Sequence, residues 1–211
     1  TPLFLSYTSS PNIVTPEQLA FLNDFVPANQ RAEANLLSDP FDTLIRRINP
    51  GGEMKNGRMV DTASHPAGFV RKAVTLFGGT APLTPVEIAW RPRPDAEGQP
   101  FPSFPAQFVS ILPDEFFRGK IVLIGATLSI TDRHMTPLSI IDDGDQGNMP
   151  GVFVQAHGIS QLLENRAPPR MPLNGVIAFS ALFAALGVAV SLFKRGIIFN
   201  VGVGVAILAS Y

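Results

Sequence analysis

A chain of 211 residues with a net charge of −1 and 16% charged residues is depleted against the roughly 25% of an ordinary soluble domain, and such depletion points to a membrane segment. The near-neutral balance argues against a basic nucleic-acid binder. With no cysteine in the sequence, there is neither a disulfide framework nor a thiolate metal site. The charges are also unevenly spread: residues 172–211 hold only Lys194 and Arg195, so residues 1–171 carry 17 acids against 14 bases.

Residues 3–7 are a short apolar run that reads as a strand. Thr15-Pro16-Glu17-Gln18 has the features of a helix start, with Thr15 as N-cap, Pro16 at the first helical position and Gln18 reaching back in a capping box. Leu19, Leu22, Phe25 and Val26 supply its apolar face. Residues 27–40 are polar with weak periodicity, and 41–48 are expected to form a short helix that ends at the turn Asn49-Pro50-Gly51-Gly52. Residues 69–77 (FVRKAVTLF) and 86–90 read as strands, with turns at Gly78-Gly79 and residues 82–85. Five prolines at 92, 94, 100, 102 and 105 make residues 91–105 an irregular connection.

Lys120-Ile121-Val122-Leu123-Ile124-Gly125 is a continuous β-branched run, apolar on both faces, which predicts a central strand of an α/β sheet covered on both sides. Gly125-Ala126-Thr127 is then a loop at the carboxyl end of that strand, where open α/β sheets place ligands. The loop runs on through Asp132, Thr136-Pro137 and an acidic segment, 142–148. After Pro150-Gly151 a helix is predicted over 152–165, with Val152, Ala156, Ile159 and Leu163 on one stripe. Residues 166–172 close the domain with Pro168, Pro169 and Pro172.

From 175 to 193 there are 19 consecutive uncharged residues, about 28 Å of helix against a bilayer core of about 30 Å. Lys194-Arg195 follows, then 16 more uncharged residues. This pattern predicts a transmembrane helix over 173–193, a basic turn and a truncated second helix over 196–211. The positive-inside rule puts the Lys194-Arg195 turn in the cytoplasm and residues 1–172 on the other side. Ala181, Ala185 and Ala189 repeat at four-residue spacing, a weak seam for close helix approach. A start at Thr1 and an end within an apolar run lead to the expectation of a piece of a longer protein. The expected fold class is α/β, a partial mixed or parallel sheet flanked by helices, followed by transmembrane helices. The expected domains are 1–171 and 172–211.

No Gly-x-Ser-x-Gly elbow, HExxH or P-loop occurs, and His65, His134 and His157 suggest no nucleophile–base pair, so no catalytic residue is expected. Asp142, Asp143 and Asp145 with Asn148 make an oxygen-rich loop that either holds calcium or is simply solvated, and EF-hand spacing is absent. His134 and Asp132 are two ligands, too few for a cage. The candidate ligand-binding residues are Gly125, Thr127, Asp132 and Thr136, all near the end of the predicted strand, with Arg71 as a guanidinium to pair with a carboxylate there. Asp132 and Thr136 equally suit turn-capping roles.

The segment 117–166 resembles the type-2 CHASE domain, an extracytoplasmic sensor module of bacterial cyclases and kinases. The matching pieces are FRGKIVLIGAT (117–127), Asp132 to Pro137 and MPGVFVQAHGISQLLENR (149–166), with weaker likeness at Gly68-Phe69-Val70-Arg71 and Ile88-Ala89-Trp90. The resemblance implies the carboxyl part of such a domain. It lacks the family's initial anchor and first strand, and has Gln155 where a histidine often stands. It further implies a non-enzymatic, cofactor-free segment in the bacterial inner membrane, sensing an unknown small molecule, forming a homodimer and driving an adenylate or guanylate cyclase or a kinase. The alternative is a dimerisation module with no small-molecule ligand. Pro168, Pro169 and Pro172 would be the stiff joint that transmits the signal.

Overall fold

The computed structural model describes residues 3–8, 13–56, 58–62, 65–92, 100–128, 132–140 and 148–192. The acidic segment 142–147, the basic turn at 194–195 and the expected second helix over 196–211 lie outside these. Two units make up the chain, Thr1–Pro168 and Pro169–Tyr211.

The first unit is mixed α/β, with four small sheets among the described residues in place of one. Strand β1 (Leu5–Tyr7) is followed by helix α1 (Pro16–Phe25), whose capping box forms as its sequence dictates: Gln18 N–H donates to the Thr15 hydroxyl, and Thr15 N–H donates to Gln18 Oε1 at 2.9 Å. β2 (Arg31–Glu33) then pairs with β1 in parallel. β3 (Leu37–Ser38) and β4 (Ile45–Ile48) form an antiparallel pair where a short helix was expected. The reason is local. The Asp39 and Asp42 carboxylates accept from Phe41 N–H at 3.0 Å and Leu44 N–H at 3.1 Å, and these aspartate turns compete with helical bonding. β5 (Glu53–Lys55) and β6 (Arg58–Val60) form a hairpin.

Residues 69–77, expected as a strand, form helix α2 (Phe69–Leu76). Phe69, Val70, Ala73, Val74 and Phe77 recur at helical spacing, and this periodicity overrides the β-propensity of individual residues. Gly78, at φ +78°, ends the helix in a left-handed turn, with Gly79 N–H donating to Val74 O at 2.9 Å and Gly78 N–H to Thr75 O at 3.1 Å. Next comes β7 (Val86–Glu87), which joins β4 antiparallel and completes a three-stranded sheet ordered β3-β4-β7. The expected strand 86–90 thus stays in the ladder for two residues.

After helix α3 (Asp114–Phe117), the expected central strand does not form. Residues 121–124 carry no regular secondary structure and belong to no sheet among the described residues. Ile121 and Leu123 pack on the core, while Val122 and Ile124 point outward and are exposed. The run is therefore covered on one face only, and the sole parallel pairing among the described strands is β1 with β2. β8 (Arg133–Met135) and β9 (Asn148–Pro150) pair antiparallel and lead into helix α4 (Gly151–Leu163).

The core lies between α2, α4 and the three-stranded sheet, with Ile45, Ile48, Val70, Ala73, Val74, Ile88, Val154 and Ile159 buried together. Gly158 sets the approach of α4 to α2, because a Cβ there would stand 2.9 Å from Val70 Cγ2 and 3.3 Å from Ile48 Cγ1. In the second unit, helix α5 (Leu173–Leu192) carries no charged residue. It is long and apolar enough to cross a membrane, and none of its window Leu173–Val190 is buried inside the protein. A soluble core helix of this composition would be buried.

Replacing Gly158 by leucine should separate α2 from α4. The expected loss is about 1–3 kcal/mol, the usual cost of overpacking, read as a lower urea midpoint by far-UV circular dichroism.

Candidate functional site

Two groups of polar side chains are organised around α4, one at each end. At its start, Gly151 N–H donates to Asp132 O at 3.0 Å, and a Cβ on Gly151 would stand 2.6 Å from Asp132 Oδ1. Asp132 adopts φ +54° and turns its carboxylate toward this helix start, where negative charge is favourable. His134 Nε2 lies 2.8 Å from Asp132 Oδ1. The helix terminus is thus already supplied with the chain's own anion.

Arg133 stitches the preceding loop to this start. Its guanidinium donates to Leu128 O at 2.7 Å, Thr127 O at 3.2 Å and Asn148 O at 3.0 Å. Gly125 packs on the first turn of α4, where a Cβ would come within 2.7 Å of Val152 Cβ. Gly125, Thr127 and Asp132 are therefore gathered at one place, with Thr127 exposed. Thr136, just after β8, is wholly buried. Arg71 belongs elsewhere. It sits on α2, donates to Pro50 O at 2.6 Å and pairs with Asp61, so it is not the guanidinium for a carboxylate near Asp132. Among the described residues, no group of three or more His, Asp or Glu side chains could hold a metal ion.

The second group lies on the carboxyl half of α4, where His157, Gln161 and Glu164 share one face at i, i+4 and i+7. This face takes over the hydrogen bonding of the segment that leaves β7. Ile88 N–H still donates to Arg46 O at 2.8 Å in the sheet. Around it, Gln161 Nε2 donates to Glu87 O at 2.8 Å, Ala89 N–H donates to Gln161 Oε1 at 2.6 Å, and Arg91 N–H donates to His157 Nδ1 at 3.1 Å. Arg166 closes the clamp, donating to Ala89 O at 2.6 Å, to Glu164 Oε2 at 2.8 Å and to the Ser160 hydroxyl at 3.0 Å. Glu164 also pairs with Arg91.

His157 is the most enclosed member. Its ring is fully buried and meets Trp90 and Phe101 edge-on, at centroid distances of 5.1 and 4.9 Å. Burial, then the positive charges of Arg166 and Arg91, lower its pKa to about 4. Glu164 is held below the usual carboxylate range: burial opposes the shift, but bonds from Ser160 and Arg166 and the two guanidinium charges outweigh it.

Sequence reasoning passed over this clamp because the apolar stripe of α4 drew attention to Val152, Ala156 and Leu163, which are only half-buried. The available signal was the His-x-x-x-Gln-x-x-Glu spacing on a helix with few other polar positions. Gln161→Leu would leave the buried Ala89 N–H and the Glu87 carbonyl without their partner, which costs roughly 1–3 kcal/mol for each buried group. A drop in melting temperature, with the far-UV spectrum unchanged below the transition, is the expected result.

The chain matches the CHASE2 domain family over residues 4–192, from the first strand through α5. No curated protein and no solved structure matches it. Domains of this family are non-catalytic sensors that lie outside the cytoplasm in membrane signalling proteins. With its small sheets, its clamping helix and its apolar helix all inside the matched span, the chain belongs to the CHASE2 domain family.

Proposed function

We propose that this chain is the ligand-sensing and signal-transmitting segment of a bacterial membrane receptor whose output is a nucleotide cyclase. The observation that carries the reading is that the sensor-family match runs unbroken into α5, an apolar helix whose window Leu173–Val190 has none of its residues buried. In this reading residues 1–171 are the extracytoplasmic domain, α5 crosses the cell membrane, and Lys194-Arg195 turns in the cytoplasm. The ligand is a small molecule that meets the exposed loop carrying Gly125 and Thr127, beside Asp132. It can shift the receptor only by its difference in affinity for two states of the domain.

Pro168, Pro169 and Pro172 occupy half of the six positions between Arg166 and α5. Fixed φ at those positions makes the joint stiff, and a stiff joint passes on displacement where a flexible one absorbs it. A second reading is favoured by the outward face of 121–124, where Val122 is 53% and Ile124 89% exposed. Contiguous apolar exposure of this kind marks interaction sites, so the domain could instead hold the receptor as a homodimer without a small-molecule ligand.

The two readings separate in one experiment on the chain in detergent, a melting-temperature screen across small-metabolite classes. A ligand at a hundred times its Kd should stabilise by about 2.7 kcal/mol. No shift with any metabolite, together with concentration-dependent association, would leave the dimerisation reading. In the receptor with its output domain attached, the P168G/P169G double variant should lose regulation of that output while the melting temperature of the domain stays put. Regulation that survives the double variant would sink the stiff-joint proposal.

A further inference from the structure

The clamp on α4 contains one group whose bonding is incomplete. His157 Nδ1 accepts from Arg91 N–H, so the ring proton of the neutral imidazole resides on Nε2. Nε2 is buried and has no hydrogen-bond partner among the described residues. A buried donor of this kind costs free energy and calls for a reason.

Protonation makes the arrangement untenable. A second proton must go on Nδ1, where it would face the Arg91 N–H that now donates to that atom. Both ring nitrogens would then be donors without acceptors, in a fully enclosed position beside two cations. The charged groups around the ring reinforce this. Arg166 and Arg91 act on it directly, and the carboxylate of Glu164 pairs with both. On α2, Arg71 is held by Asp61, and Lys72 is the other charge; β9 carries no titratable side chain, and the 87–91 segment adds Glu87. The clamp itself is thus two guanidiniums against one carboxylate, and an imidazolium would add a third cation.

We propose that His157 is a proton-operated latch: neutral, it holds the 87–91 segment and the Phe101 ring against α4, and on taking up a proton it lets them go. Release lets water reach both ring nitrogens and removes the conflict with Arg91 N–H. The bonds from Gln161 to Glu87 and Ala89, and from Arg166 to Ala89, are the next to loosen, because they hold the same 87–91 backbone. Burial supports the same direction. The ring titrates near 4 when enclosed and near 6.5 when free, so proton uptake can favour the released state by at most a factor of about 300, the ratio of the two acid constants. The neutral, latched form is fully favoured above pH 6.5, and that advantage is lost as pH falls toward 4.

Trp90 is the chain's one tryptophan and packs on His157, so its emission reads the latch directly. The experiment is a pH titration of the full chain in detergent micelles from 7.5 to 4, following Trp90 emission and far-UV circular dichroism together. The expected result is a red-shifted, reversible change in emission with a midpoint between 4 and 6.5 while the far-UV signal stays constant. His157→Gln, whose amide oxygen still accepts from Arg91 N–H, should abolish the change. Phe101→Ala, which opens the ring to water, should raise the midpoint toward 6.5. The proposal is overturned by a flat wild-type titration, by the same transition in His157→Gln, by a midpoint that Phe101→Ala does not move, or by far-UV loss in step with emission, which would mean general acid unfolding.

Discussion

Everything in the first unit hangs on one requirement, that α4 supply partners to backbone the small sheets leave unfinished. Two- and three-stranded sheets are marginal alone. Their edges need covering, and a buried unpaired amide costs about as much as a lost hydrogen bond. α4 meets this with side chains. Gln155 donates to Ala34 O, one residue past β2, at 3.1 Å, and Gln161, His157 and Arg166 bind the segment past β7. The helix also follows directly from β9. Three of the four sheets among the described residues therefore depend on the placement of one helix.

This solution has a particular energetic character. A helix that packs only through aliphatic side chains tolerates small rotations, since burial is non-directional. α4 buries Gln155, His157 and Gln161 beside Val154 and Ile159, and each amide must meet a specific carbonyl or N–H. The Gly158 contact with Val70 fixes the spacing, while the glutamines fix rotation and register. Such a polar core specifies one arrangement, because a slip of one residue would strand several buried groups at once. The outer ion pairs add less. Arg91 and Glu164 are 37% and 42% exposed, and pairs in that setting contribute little on average.

The sequence was legible where a local rule decides the outcome. Thr15 through Gln18 is a capping box whatever surrounds it, Pro150-Gly151 opens a helix, and Leu173–Leu192 forms a helix because no charge or proline interrupts it. It was illegible where a neighbour decides. FVRKAVTLF has both β-propensity and helical spacing, and the spacing prevails because Val70, Ala73 and Val74 can then meet α4. KIVLIG has the composition of a buried central strand, but composition cannot state whether adjacent strands are there to pair with it. Of the site residues, Gly125, Thr127 and Asp132 do come together at the start of α4. Arg71 was misplaced because its partner, Asp61, lies on a hairpin exit that no spacing rule connects to it.

The way the chain leaves α4 follows from the same logic. Asn165 takes the left-handed conformation, φ +52°, which asparagine tolerates better than most residues, and Arg166 N–H returns to Gln161 O at 2.9 Å. The Arg166 side chain then reaches Ala89, Glu164 and Ser160, so both the backbone and the side chain of this residue are tied to the clamp. Beyond it, prolines at 168, 169 and 172 each remove a torsional freedom, and Pro172 O accepts from Gly175 and Val176 N–H as α5 begins. A change in how the 87–91 segment is held therefore acts on Arg166, whose guanidinium bonds Ala89 O. Were the stretch after Arg166 glycine and serine, its backbone would be free at every φ; with prolines at 168, 169 and 172, three of those φ angles are fixed.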